Sequence, residues 1–271
     1  MPFQKRGFIN DIFLFLSMKI YLHQFLSRTG VFSSKKVLIE ALRRGEVTID
    51  GKVVADSMFQ FNPNTKNVFW KGKELIMLNK KIYFIMHKPA GYVCAKLSAR
   101  DHALGKRSVF EIIEKDPKLD SVTKNSLFTV GRLDEDTSGL LIVTNDGDLG
   151  SRVTHPQHCV RKVYEVQLKK PLKEQSKKRI EEGIIIDLEE NGKIEHYKTK
   201  PCVITQKTPT RLTITLIEGK KREIRRMFEK VNNPVFALKR IAIGNLFLDS
   251  LKLAEGEYCF VERELLEKKI F

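Results

Sequence analysis

Residues 130–149 read VGRLDEDTSGLLIVTNDGDL. The unbroken apolar run Leu140–Val143, entered through Gly139 and left through Asn145-Asp146-Gly147, has the length and punctuation of a buried strand. Three acids, Asp134, Glu135 and Asp136, stand just before it, behind Arg132. A polar loop leading into a core strand is the plain account of them. A carboxylate held as a nucleophile in a cleft is the sharper one. The rest of the chain decides between the two.

Outward from this stretch, IYFIMHKPAGYVCA (82–95) starts as an apolar strand and breaks at Pro89 and Gly91. KVYEVQLKKPL (162–172) alternates, so Tyr164, Val166 and Leu168 share one strand face. KEQSKKRIEEG (173–183) reads as a surface helix stopped by Gly183, and RLTITLIEG (211–219) alternates again. KKREIRRMFEKV (220–231) is amphipathic, with Ile224, Met227, Phe228 and Val231 at helical spacing and Arg222, Arg225 and Arg226 on or beside the other face. VFALKRIAIGNLFL (235–248) supplies one or two closing strands. Strands and helices follow one another without a βαβ period, which predicts an α+β fold on a mainly antiparallel sheet with flanking helices over residues 80–271.

Residues 18–76 form a separate small module ahead of a polar connector around Leu78–Lys81. LHQFLSRTG (22–30) reads as a helix ended by Gly30. SSKKVLIEALRRG (33–45) reads as a second, capped by Ser33 or Ser34, with Val37, Leu38, Ala41 and Leu42 on one face. VTIDGKVV (47–54) reads as a hairpin turned at Asp50-Gly51. The module holds ten Lys/Arg against five Asp/Glu. A charged helix face is by itself most often a solvated one.

The whole chain of 271 residues carries 49 Lys and Arg against 33 Asp and Glu, a net +16, with pI ≈ 9.6. Such an excess favours a polyanion, nucleic acid first and an acidic membrane surface second. Four scattered cysteines without a CxxC pair or a Cys/His cluster argue against a zinc site and fit a reducing cytoplasm. The apolar run Ile12–Leu16 is far short of the roughly 20 residues that span a bilayer. Residues 1–17 read as an appended extension, with a cleaved signal peptide as the alternative.

Two resemblances rest on these residues. LHQFLSRTGVFSSKKVLIEALRRGEVTIDGKVV resembles an S4 RNA-binding domain, which implies Ser33, Lys35, Lys36, Arg43 and Arg44 near phosphates. The second region resembles the pseudouridine synthases that act on ribosomal RNA. Their signature G-R-L-D-x-x-T-S/T-G-L-L-x-x-T-x-D-G stands here as GRLDEDTSGLLIVTNDG, and KPAGYVC (88–94), Lys162-Val163-Tyr164 and EGKKREIRRM (218–227) follow the family's order. THPQHCVRKVYEV (154–166), GYVC (91–94) and Gly256-Glu257-Tyr258 look most like the branch that acts on small-subunit rRNA, with the large-subunit branch close to it.

The resemblance implies an isomerisation of uridine in RNA, free of redox chemistry and so without a metal or cofactor. It implies Asp134 as nucleophile, Tyr164 stacking on the flipped base and able to take its C5 proton, and Arg225 as the fixed cation that keeps Asp134 ionised in a dry site. Arg132 then meets the flipped nucleotide's phosphate, and Lys88, Lys162, Arg222 and Arg226 join the RNA-binding set. The apolar strand after Asp134 is expected to wall the site. Glu135 and Asp136 are read as solvated or as partners for Arg and Lys. Glu223 departs from the Gln of many members and is expected to compete for Arg225. A monomer is the simplest assembly. A non-enzymatic S4-type RNA binder is the main competing function, with a uracil glycosylase and a helix–turn–helix DNA regulator behind it. A pure binder has no need of a buried carboxylate.

Overall fold

A computed structural model describes residues 19–190 and 192–271. The expectations for residues 1–17 lie outside the described residues. The chain divides into two units. The first is the chain up to Lys81 together with Glu114–Leu127, and the second is Ile82–Ile113 with Phe128–Phe271. Residues 114–127 thus fall with the first unit and interrupt the continuous 80–271 domain expected from sequence.

In the first unit β1 (Ile20–Tyr21) leads into α1 (Leu22–Arg28) and α2 (Lys35–Arg43). The Ser34 hydroxyl accepts from the Val37 amide at 3.3 Å and so starts α2. Leu38, Ala41 and Leu42 are buried, but Val37 is 43% exposed and does not belong to that face. Burying Leu38 and Leu42 contributes about 2 kcal/mol each. β2 (Val47–Ile49) and β3 (Lys52–Val53) form the expected hairpin, with Asp50 and Gly51 both at positive φ as its two-residue turn requires. After β4 (Gln60–Phe61), β5 (Val68–Trp70) and β6 (Lys73–Leu75) complete a four-stranded sheet in the order β3-β2-β5-β6. Gly30, at φ +67, is where the helix Ser121–Ser126 comes in. A Cβ there would stand 2.1 Å from the Val122 carbonyl oxygen, so only glycine fits.

The second unit is an α+β fold on a nine-stranded, mainly antiparallel sheet. β7 (Tyr83–Lys88) is followed by the short parallel pair β8 (Tyr92–Val93) and β9 (Arg107–Ser108). Next come β10 (Phe128–Val130), β11 (Thr137–Thr144), α3 (Gly147–Thr154), β12 (Lys162–Leu168) and α4 (Glu174–Glu181). The hairpin β13 (Ile185–Glu190) and β14 (Lys193–Lys198), which the sequence reading did not assign, stands apart from the large sheet. β15 (Val203–Gln206), β16 (Arg211–Leu216), α5 (Glu223–Glu229), β17 (Val235–Ile243), β18 (Leu246–Phe247), β19 (Tyr258–Phe260) and α6 (Arg263–Ile270) follow. The main path is β15-β16-β12-β17-β11-β7-β19, and only β11 and β17 run parallel in it.

β11 lies inside this sheet and Leu140 to Val143 are all fully buried, as an apolar run without alternation requires. Leu140 and Ile142 join a core with Tyr83, Ile85, Leu149, Ile243 and Leu266. A second core under β12 and β16 takes the apolar stripe of α5: Ile224, Met227 and Phe228. Asn145-Asp146-Gly147 does more than turn the chain. Asp146 caps α3, a helix missed from sequence, and its carboxylate accepts from Tyr83 Oη at 2.7 Å and pairs with Arg263 at 3.1 Å.

Candidate active site

The loop Gly131–Asp136 joins β10 to β11 and is clamped from behind. The Asp134 carbonyl accepts from the Thr137 amide at 3.0 Å, closing a tight turn. Lys88, at the end of the neighbouring β7, is fully buried, and its ammonium donates to the carbonyls of Thr137 (2.7 Å), Pro89 (3.0 Å) and Glu135 (3.3 Å). The Gly91 amide takes the Glu135 carbonyl as well, at 2.7 Å. Burial lowers the Lys88 pKa, while Cys94, Asp136, Asp134 and Glu135 act to raise it. Lys88 therefore corrects the sequence reading: with no surface to offer RNA, it is the cation that holds the acidic loop in place. Lys88→Met keeps the stem packed but removes the ammonium from the Thr137 and Pro89 carbonyls and leaves the Glu135 carbonyl with the Gly91 amide. It is expected to lower stability by about 2–4 kcal/mol, read by chemical denaturation.

Asp136 anchors the loop on its other side. Arg225, buried at the start of α5, donates to the Asp136 carbonyl at 3.0 Å and pairs with its carboxylate at 3.1 Å. Arg222 reaches the same carboxylate at 3.3 Å. The expected pairing of Arg225 with Asp134 is thus not the one formed. Nor does Glu223 compete for Arg225, because its carboxyl accepts from the Lys220 amide at 2.7 Å. Of the three acids, Asp136 is a partner for arginine and Glu135 is exposed. Asp134 alone lines a cavity.

That cavity, of about 280 Å³, is open to solvent. Arg132, Leu133, Asp134 and Thr137 form one wall. Tyr164, Leu216, Leu238 and the segment Gly219–Ile224 form the rest. Tyr164 is placed by β12 beside a break in register with β17, where Val163 faces Ala242 and Tyr164 faces Arg240. Such a bulge re-aims side chains at a sheet's working face. The apolar wall comes from Leu133, Leu216, Ile224 and Leu238. The run after Asp134, expected to serve as wall, is interior to the sheet instead. Four cations, Arg132, Lys220, Lys221 and Arg222, line the space, a field that suits an anionic ligand. The hydroxyl of Thr137 is buried without a partner at this surface.

The remaining site expectations divide. Lys162 is half-buried on β12 outside the cavity lining, and burial first, then Arg240, brings its pKa down to about 8. Arg226 is half-buried with one guanidinium nitrogen unpartnered. Ser33, Lys35, Lys36, Arg43 and Arg44 are exposed on the first unit, where Arg44 pairs with Glu40 one turn back. Lys220 and Lys221 were missed. Their signal is the basic run of EGKKREIRRM itself, whose two lysines stand in the loop just before the helix. Among the described residues no three His, Cys, Asp or Glu side chains gather as metal ligands would, and no helix is long and apolar enough to cross a membrane.

The sequence model of the family described as RNA pseudouridylate synthase matches residues 82–230. Ribosomal small subunit pseudouridine synthase A of Escherichia coli (strain K12) is 33% identical over 237 residues, covering 88% of this chain and 93% of that protein. The uncharacterized RNA pseudouridine synthase YtzG of Bacillus subtilis (strain 168) is 34% identical over 253 residues, covering 92% and 96%. A crystal structure of a pseudouridylate synthase superposes with a TM-score of 0.63 at 27% identity, covering 93% of this chain and all of that one.

Proposed function

The chain belongs to the RNA pseudouridylate synthase family, and from that premise we propose that it converts one uridine of small-subunit ribosomal RNA to pseudouridine with Asp134 as nucleophile. In this reaction the N1–C1′ bond of uridine breaks and a C5–C1′ bond forms. C5 loses its proton and N1 gains one. The observation that carries the reading is the convergence of Asp134, Tyr164 and Arg132 on one cation-lined cavity. A cavity of this size suits a single flipped nucleotide rather than a helical segment. Tyr164 offers a ring for stacking and a hydroxyl for the C5 proton, and Arg132 and Arg222 offer charge to phosphate. The choice of small-subunit RNA is supported by the relatives that bear that name.

The first unit acts in this reading as an S4-type RNA-binding module. Lys35 and Lys36 occupy the first turn of α2, where cations oppose the helix dipole. Helix stability does not account for them, and a phosphate backbone does. The protein works as a monomer in the cytoplasm.

The test is a pseudouridine map of both ribosomal RNAs, by carbodiimide modification and primer extension, from cells with and without the gene. Loss of a single small-subunit site is the expected result. Loss at a large-subunit site keeps the chemistry and overturns the substrate. Unchanged maps with RNA binding intact favour the non-enzymatic binder.

A further inference from the structure

The cavity-lining loop Gly219–Arg222 is bracketed by two buried acids, Glu218 (9% exposed) and Glu223 (4% exposed). Glu218 is served as an anion: Oε2 accepts from the Tyr197 hydroxyl and Oε1 from the Lys200 amide, both at 2.6 Å. Glu223 is served on one side only. Its Oε2 takes the Lys220 amide, while Oε1 is buried with no donor facing it. The two side chains lie within hydrogen-bonding reach of each other. Two carboxylates this close and this dry do not both stay ionised. The oxygen of Glu223 that lacks a donor is where a proton resolves the conflict, since a hydroxyl there donates to Glu218 instead of waiting to accept.

We propose that Glu223 is held as the neutral acid and donates a hydrogen bond to Glu218, closing the base of the loop that carries Lys220, Lys221 and Arg222 to the cavity. Glu223 is then a positioning residue for RNA, an inference that rests on the function proposed above. Burial first, and Glu218 with it, pushes Glu223 up to about 8 against the pull of the Lys220 amide. Burial also raises Glu218, but the bonds from Tyr197 and Lys200 outweigh it and hold that carboxyl below its ordinary range. The other groups facing the pair are Tyr197, Lys200, Cys202 and Lys220, with Arg222 and Arg226 on its own turn. Tyr197 is pushed up to about 12 by its bond to Glu218 and then by burial, and Cys202 to about 12 by burial, so neither titrates alongside Glu223. Because the folded chain keeps the Glu223 proton to a higher pH than the unfolded chain, stability falls as pH rises from 4.5 towards about 8 and levels off beyond it. Above that pH the pair becomes a dianion and the loop loosens.

The test compares wild type with Glu223→Gln, whose amide donates to Glu218 without titrating. The readout is the ratio of variant to wild-type kcat/KM, with its value at neutral pH, where both side chains offer Glu218 a donor, as the reference. Above about pH 8, wild type loses kcat/KM through a rising KM, and the ratio of variant to wild type climbs towards tenfold per pH unit. Lys162, also near 8, is present in both proteins and cancels in that ratio. Infrared difference spectra are expected to show a protonated carboxyl in wild type at neutral pH that the variant lacks. A flat ratio across this range, or no such band in wild type, overturns the proposal. If neither protein forms pseudouridine at any pH, the proposed function fails, and the infrared comparison still decides the shared proton.

Discussion

Asp134→Asn is expected to abolish pseudouridine formation, with a loss on the order of 10⁴-fold or more in kcat, and to leave RNA affinity and melting temperature close to wild type. Asn has the shape of Asp but no free anionic lone pair with which to attack carbon. The structural work at this position is done by the backbone: the Asp134 carbonyl accepts from the Thr137 amide, and the loop around it is pinned through Lys88 and Asp136. None of those bonds uses the Asp134 carboxylate, so the fold does not depend on it. The four cavity cations remain to bind RNA. The assay is tritium release from a transcript labelled at uridine C5, because that proton leaves in the reaction whichever carbon the carboxylate attacks. RNA binding is followed in parallel at fixed salt, since phosphate contacts make affinity salt-dependent. Turnover retained by the variant would sink the assignment of the nucleophile. Loss of turnover and binding together would mean that Asp134 holds the loop rather than the chemistry.

The features legible from sequence were those that local rules encode. The β2–β3 hairpin was marked by Asp50-Gly51, since both positions of a two-residue turn need positive φ. α2 was marked by a serine before an apolar stripe, and β11 by an apolar run too short for a helix and too continuous for a half-exposed strand. What escaped depends on partners distant in sequence. Lys88 in a Lys-Pro-Ala-Gly segment looks like any surface lysine. Only the return of β11 beside β7 surrounds it with carbonyls and removes it from water. The family resemblance set Arg225 beside Asp134, but Asp134 and Asp136 are two residues apart and sequence cannot say which carboxylate the guanidinium meets, which is Asp136. Glu218 drew no reading of its own and Glu223 was marked only as a departure from the family's Gln, because nothing local signals that β16 and α5 carry the two ends of that loop under cover. Residues 114–127 have no periodicity that ties them to the first unit. Their marker is Gly30, whose missing Cβ makes room for Val122 and which sequence reads equally well as a helix stop.

Gly139→Ala is expected to be the most damaging small substitution in the catalytic unit, costing on the order of 4 kcal/mol or more and lowering its melting temperature by about 10 °C. Gly139 stands at φ +116, a conformation that side chains strongly resist. An added Cβ would also lie 2.2 Å from the Arg240 carbonyl oxygen and 2.5 Å from the Arg240 amide nitrogen. Both are backbone atoms of β17, so no side chain can swing aside to relieve the overlap. The strand itself cannot yield cheaply. It is paired with β11 from Thr137 to Gly139, it is paired with β12 on its other edge, and the Arg240 side chain is tied to the Leu140 carbonyl at 2.8 Å. Gly256→Ala separates the two contributions, because Gly256 also has positive φ, +89, yet a Cβ there meets nothing within 4 Å. That variant is expected to cost only about 1 kcal/mol, the conformational part alone. If the two variants melt alike, the overlap is being relieved by a shift of β17. Such a shift would carry Leu238 and Tyr164 with it, the first on β17 and the second on its neighbour, and would appear as a fall in kcat rather than in stability.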